Sequence, residues 1–344
     1  MKENSKKYIT NLIKWTIVIA IIVGVYFWKQ DEINDSFEEM QDYPLYVSLL
    51  LFLVSILYFV IEGWIISLMT MDEDKRLSLW DGIKCALYAA FYKFLTFGSL
   101  SGFAEIYYLS KHGIDIGKAT GITLVQYAYQ KLGITFLGIV GFITLYIAGY
   151  QTIRQYALFG VIGVLIALFI VIFIIALSIS RRLTGFLVQI LNHILRDDGM
   201  FRKIPALISK REEYIDQIYK FNEAGVSISK RKDLYIKVIL LMILKMSIWF
   251  SIAPIIICSR YEGVSAVLTL LLMAVSHMLG SVMVAPAGVG TQEFVISLLF
   301  KPMYGVAAVS LAILYRFYTM IFPFIIGAIV FLRNGDKEKK DIQA

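Results

Sequence analysis

Long apolar runs alternate with short charged stretches along this chain, and the runs set the predicted elements. Apolar stretches cover about 12–28, 44–70, 80–97, 118–148, 156–180, 234–258, 264–283 and 304–332. Several contain 18 or more residues with few charges, the length a membrane-spanning helix needs. Two further apolar arms, 103–110 and 291–300, are too short: eight residues of helix rise only about 12 Å against a core of roughly 30 Å. The stretch 181–233 breaks the pattern. It is polar and basic, yet Leu183, Phe186, Leu187, Ile190, Leu191 and Ile194 recur at helical spacing. That predicts amphipathic helices lying against a membrane.

Each short arm follows a break. The second break, Val284-Ala-Pro-Ala-Gly-Val-Gly-Thr-Gln-Glu-Phe294, places Pro and Gly inside an apolar region and ends in a carboxylate. Pro lacks a donor and Gly leaves the backbone unrestricted, so a continuous helix is not expected there. In hydrocarbon such a backbone persists only where protein or a wet cavity satisfies it. The first break, Phe97-Gly-Ser-Leu-Ser-Gly-Phe-Ala-Glu105, has the same ending, Gly-x-x-Glu: Gly102 to Glu105 in one, Gly290 to Glu293 in the other. A cation then lies inside the next long run, Lys131 after Glu105 and Arg316 after Glu293, and Trp64 and Trp249 precede the two carboxylates at similar distances. Matching features in matching order predict a duplicated unit.

The sidedness of the cations arranges these units. If the short arms fold back, 22 of the 33 Lys and Arg fall on one side, 4 fall on the other, and 7 lie within segments. By the positive-inside rule the crowded side is cytoplasmic, so both termini are expected there. The expected architecture is an all-α polytopic membrane protein forming a single membrane domain over 1–344. It is an inverted-topology repeat with two re-entrant helical hairpins. Repeat one covers about 12–148 and repeat two about 156–332, with the cytoplasmic amphipathic segment 181–233 inside the second. Inverted repeats with broken elements are characteristic of alternating-access carriers. The basic, apolar N-terminus has no small-residue cleavage motif after Tyr26-Phe-Trp-Lys29 and is read as a retained first helix.

Composition narrows the function classes. The chain is 58% hydrophobic, 17% charged, and has a mean hydropathy of +0.71. The net charge of +7 sits in loops, so membrane topology accounts for it and no nucleic-acid partner is expected. Cys85 and Cys258 lie in apolar segments without metal-like spacing, and no metal or other cofactor is expected. No phosphate-binding Gly-x-x-x-x-Gly-Lys-Ser/Thr loop, His-Glu-x-x-His zinc motif or Gly-x-Ser-x-Gly elbow occurs. Transport or binding is favoured over group transfer.

The candidate substrate-binding residues are Glu105, Lys131, Glu293 and Arg316, with Gly102, Gly288 and Gly290 opening the backbone near them. Intramembrane carboxylates and cations mark functional sites by default. Two readings stand: the charges form structural pairs, or they face a cavity where Arg316 and Lys131 hold a phosphate and the Glu residues take an ammonium group or a proton. His277 is a candidate proton relay or a hydrogen-bonded helix contact. Lys93 is expected to snorkel to the cytoplasmic surface. Glu62 and Lys245 read as interfacial, near span ends. The Gly- and Ala-rich run 133–149 suggests close helix packing.

Ala285-Pro-Ala-Gly-Val-Gly-Thr-Gln-Glu293 resembles the Pro-Gly-Gly-x-Gly-x-x-Glu signature of the lysylphosphatidylglycerol synthase/flippase transmembrane region. The stretch Gly98 to Ala119, with Glu105-Ile-Tyr-Tyr-Leu-Ser-Lys-His-Gly113, resembles that family's first conserved block, and Tyr315-Arg316 its late Tyr-Arg. The resemblance covers nearly the whole chain. It implies the flippase-like membrane part of proteins that make aminoacylated phosphatidylglycerol, move it across the cell membrane and confer resistance to cationic antimicrobial peptides. In that family synthesis resides in a separate soluble domain. The chain departs from the pattern at Gly98, where Pro is usual, and at Gln130-Lys131, where Glu-Arg is common. The implied function is an integral lipid translocase for an anionic or aminoacylated phospholipid or a polyprenyl-linked lipid. The alternative is the membrane subunit of a phosphatidylglycerol lysyltransferase, presenting lipid to a soluble transferase docked on 181–233.

Overall fold

The computed structural model describes residues 38, 41, 43–71, 76–96, 100–195, 211–282, 291–305 and 307–341. The expected first helix at 12–28, and both breaks apart from Leu100 to Glu105 and Thr291 to Phe294, lie outside the described residues. Everything described is helix or connection, with no strand.

Helix α1 (Leu45–Met69) starts after Pro44, whose fixed φ suits a helix entrance, and ends at Thr70. Helix α2 (Leu79–Leu95) is capped by the Ser78 hydroxyl, which accepts from the Asp81 N–H. Helix α3 (Ser101–Lys111) ends in a turn through Gly113, whose φ of 87° favours glycine. Asp115 then caps α4 (Ile116–Ile147) by accepting from the Gly117 and Lys118 N–H groups. A short α5 (Gln151–Gln155) leads to α6 (Ala157–Ile179), and Ser180 caps the amphipathic α7 (Arg181–Ile194).

The second half begins with α8 (Arg211–Lys230), followed by α9 (Lys232–Phe250) and α10 (Ile252–Arg260). The sequence suggested one span over about 234–258, and the structure has two helices forming one membrane-length unit, 232–260. Pro254 cannot donate to the Phe250 carbonyl, which accounts for the interruption at Ser251. Helix α11 (Ala266–Gly280) and α12 (Thr291–Tyr304) follow. The turn after α12 falls at Gly305, with φ 51°, and Pro302 is accommodated inside the helix. Helix α13 (Ala307–Arg316) runs through a π turn, Phe317–Ile321, into α14 (Phe322–Asp341). Pro323 lacks the N–H that would bond the Thr319 carbonyl, so a wider register falls where the α-helical ladder is already broken.

Among the described residues, five units are long and apolar enough to cross a membrane: 45–69, 116–147, 157–177, 232–260 and 307–332. Helix α6 turns Phe159, Leu165 and Phe169 outward, as expected where the surrounding solvent is lipid. Helices α2 and α3 pack on each other, as do α11 and α12, so each short arm lies beside the helix before it. Small residues allow the closest approaches. A Cβ on Gly82 of α2 would overlap the Gly63 carbonyl of α1, and one on Gly141 of α4 would come within 2.7 Å of the Leu271 carbonyl of α11. One apolar cluster joins α1, α2, α3 and α4 to the start of α9; another joins the start of α1 to α10, α11, α12 and α13.

Candidate functional site

Between these clusters lies a cavity of about 790 Å³, lined from both halves of the chain. Helix α1 contributes Tyr58 and Glu62, α2 contributes Lys93, and α3 contributes Gly102 and Glu105. Gln126, Gln130 and Lys131 come from α4, Trp249 from α9, His277 from α11, Gln292 from α12 and Arg316 from α13. A pocket this polar inside apolar helices requires that its charges be answered by partners or by an occupant.

One wall is a hydrogen-bonded network around Lys245 and Glu62. Lys245, with no exposed surface, donates to Glu62 Oε2, and its Nζ lies 3.4 Å from Gln130 Oε1. Gln126 Nε2 donates to Glu62 Oε1 at 3.0 Å. The same ammonium sits 5.0 Å from the centre of the Tyr58 ring, a cation–π contact. Beside it, Thr123 Oγ1 donates to Glu105 Oε1 at 3.0 Å.

The opposite wall carries Arg316, paired with Glu293 of α12. Arg316 closes α13 immediately before the π turn, the sort of irregularity that often accompanies functional positions. Trp249 Nε1 donates to the Tyr315 hydroxyl at 3.4 Å, and the His277 ring lies between Phe250 and Tyr315 at 4.8 and 5.3 Å. His277 Nδ1 and Nε2 differ in setting: Nε2 is buried without a hydrogen-bond partner, as is Gln292 Nε2.

The structure brings Glu105, Lys131, Arg316, Gly102 and His277 to one cavity, with Glu293 against Arg316. Gly288 and Gly290 lie outside the described residues. Three readings change. Glu105 bonds Thr123 rather than Lys131, and Lys131 instead lies over the Tyr127 ring, one helical turn away on α4, at 5.4 Å. Glu62 and Lys245, read as lying near span ends, pair with each other inside the protein, an arrangement that one of the two readings gave to Glu105 and Lys131. Lys93 lines the cavity with Lys131 and Arg316. Their signal in the sequence was charge within an apolar run, and the position along the run misled because cavity depth depends on how helices tilt and stack. Among the described residues no group of three or more His, Cys, Asp or Glu is placed to hold a metal.

These features define a multi-pass, all-helical membrane protein with a charged internal cavity. The chain belongs to the family described as lysylphosphatidylglycerol synthase TM region, whose model matches residues 13–327. A comparison with curated proteins gives no match.

Proposed function

We propose that this protein is a lipid translocase of the cell membrane, moving an anionic or aminoacylated phospholipid or a polyprenyl-linked lipid between leaflets. The observation that carries this reading is the cavity itself. Its headgroup-sized volume is lined by Lys93, Lys131, Arg316, Glu62 and Glu105 inside a bundle of membrane-length helices. Charged groups are expensive at that depth and are retained where they meet a polar cargo. In this reading Lys131 and Arg316 hold the lipid phosphate, Glu105 and Glu293 answer an amine or a proton, and His277 relays a proton. Gly102 stands one turn before Glu105 on α3, and Gly288 and Gly290 remain candidates from the sequence.

The same reading takes α2 with α3, and α11 with α12, as re-entrant hairpins of an inverted repeat. Helix lengths support it: 11 residues in α3 and 14 in α12 rise about 16 and about 21 Å, short of a roughly 30 Å core. With the hairpins re-entrant, the 22-to-4 cation bias puts both termini and 181–233 in the cytoplasm. The test is transbilayer movement of fluorescent phospholipids in proteoliposomes of the purified chain, read by quenching of the outer leaflet. Protein-dependent movement is expected. Absence of movement for anionic, aminoacylated and polyprenyl lipids alike, with and without a proton gradient, would overturn translocation in favour of a membrane subunit serving a soluble transferase.

A further inference from the structure

The cavity is unevenly answered. Four cations bear on it, Lys93, Lys131, Lys245 and Arg316, against three carboxylates, Glu62, Glu105 and Glu293. Each carboxylate already has a partner within the protein: Glu62 has Lys245 and Gln126, Glu293 has Arg316, and Glu105 has Thr123. Lys93 and Lys131 have no carboxylate partner among the described residues. Both line the same cavity as His277, so like charges share one enclosed space. Among the cavity-lining side chains, Gln292 Nε2 and His277 Nε2 are buried without a hydrogen-bond partner, as is Gln126 Oε1 beside Glu62. The first is a donor, and the second donates in the tautomer that carries its proton there. The Gln292 side chain packs against Gly280, where an added Cβ would come within 2.4 Å of its amide oxygen.

We propose that Lys93, Lys131, His277 and Gln292 form a subsite for a phosphate-ester headgroup, which makes the cavity selective for anionic lipids over lipids carrying an added ammonium group. An anionic oxygen cluster relieves the Lys93–Lys131 repulsion and gives both orphaned nitrogens an acceptor. A lysyl headgroup brings further positive charge to a cavity where Lys93 and Lys131 already lack a carboxylate partner, and only Glu105, bonded to the neutral Thr123 hydroxyl, is left to answer it. This rests on the reading of the cavity as a lipid site, but not on movement of the lipid.

The test is native mass spectrometry of the full chain offered an equimolar mixture of phosphatidylglycerol and lysyl-phosphatidylglycerol, alongside transport of each labelled lipid. The protein is expected to retain the anionic lipid at least tenfold over the lysyl lipid. Lys93→Gln with Lys131→Gln is expected to abolish that preference, and Lys93→Arg with Lys131→Arg, which keeps both charges, to preserve it. Excess inorganic phosphate is expected to leave the lipid bound, and displacement by phosphate would overturn the lipid assignment in favour of a soluble anion. Equal or preferential retention of lysyl-phosphatidylglycerol, or a preference unchanged in the Gln pair, would overturn the subsite. Anionic binding without movement would uphold the subsite and overturn translocation; movement indifferent to headgroup charge would do the reverse.

Discussion

Lys245 donates to Glu62 across 183 positions of sequence and ties α9 to α1 at the cavity wall. Its ammonium has no exposed surface and the carboxylate is only 12% exposed, so neither charge has water to fall back on. Removing one partner strands the other, at a cost of about 3–5 kcal/mol. Lys245→Met is therefore expected to lower the thermal unfolding midpoint of the detergent-solubilised protein markedly. Adding Glu62→Gln should recover most of the loss, since a neutral amide retains Gln126 as a neighbour. A Lys245→Met protein as stable as the parent would show that the pair contributes nothing.

The contact between α1 and α2 makes a second stability prediction. Gly63 and Gly82 face each other with backbone against backbone, and a methyl on Gly82 overlaps the Gly63 carbonyl, which cannot rotate away. Gly82→Ala should cost about 1–3 kcal/mol by forcing the helices apart. Gly185, where a methyl meets open space, provides the comparison: Gly185→Ala should leave the midpoint unchanged or raise it slightly. Equal midpoints for the Gly82 variant and the parent would contradict the close approach.

Most helices were legible because an apolar run in a membrane protein specifies its element almost by length alone. The runs at 44–70, 118–148 and 156–180 became α1, α4 and α6 within a few residues. Interruptions were harder to read. Ser251 lies inside the apolar run 234–258, and Pro254 is the residue that hints that the ladder fails there. In the site, charges within runs were visible as Glu105, Lys131, Glu293 and Arg316, but partnership was not. Repeat logic matched Glu105 to Lys131, whereas Lys245 reached Glu62 from another helix, and sequence spacing carries no information on contacts made by tertiary packing. Gln292 and His277 gave no signal of orphaned nitrogens, because that depends on which neighbours are missing.

Lys220 of α8 bridges Asp115 at 3.1 Å and Asp216 at 2.9 Å, fastening α8 to the start of α4. Partial burial works against the charged form of Asp115, but the Lys220 ammonium and the Gly117 and Lys118 N–H groups outweigh it and lower its pKa. Hydrogen bonds to Asp216 and Asp115 raise that of Lys220. A depressed carboxyl contributes stability above its unfolded value, about 3.9, and loses it as pH falls through the folded value; a raised ammonium contributes below about 10.4 and loses it as pH rises beyond. The distance between spin labels at Ile116 and Glu223 should thus be constant from about pH 5 to about pH 10 and lengthen below about pH 4. Asp115→Asn should lengthen it at neutral pH.

Topology yields to labelling. In a background lacking Cys85 and Cys258, single cysteines at His112 and Met303 report on the loops after α3 and within the last turn of α12. An impermeant thiol reagent outside intact cells should modify the cysteine at 303 and leave that at 112 untouched. Modification at 112 would mean that α2 and α3 together cross the membrane, and the re-entrant reading would fail.

The pairing of Glu293 with Arg316 permits the sharpest test of the site. Counting from Gly305, Glu293 is 12 residues back and Arg316 is 11 forward, so on helices of 1.5 Å rise they sit at matching depths of about 18 and about 16 Å. That match explains why they meet, and it holds equally for a scaffold pair and for one that opens to cargo. Coulomb attraction is symmetric, so a scaffold pair survives exchange of Glu293→Arg with Arg316→Glu. A phosphate-binding guanidinium does not, because its donors are planar and paired, and an exchange moves them to the other helix. Arg316→Lys separates the readings further: it keeps the charge and loses the fork. Lipid movement is expected to fall at least tenfold in Glu293→Gln, Arg316→Lys and the exchanged protein, with normal membrane insertion and yield in all three. Parental movement in the exchanged protein would make the pair a scaffold and leave cargo binding to the remaining cations of the cavity.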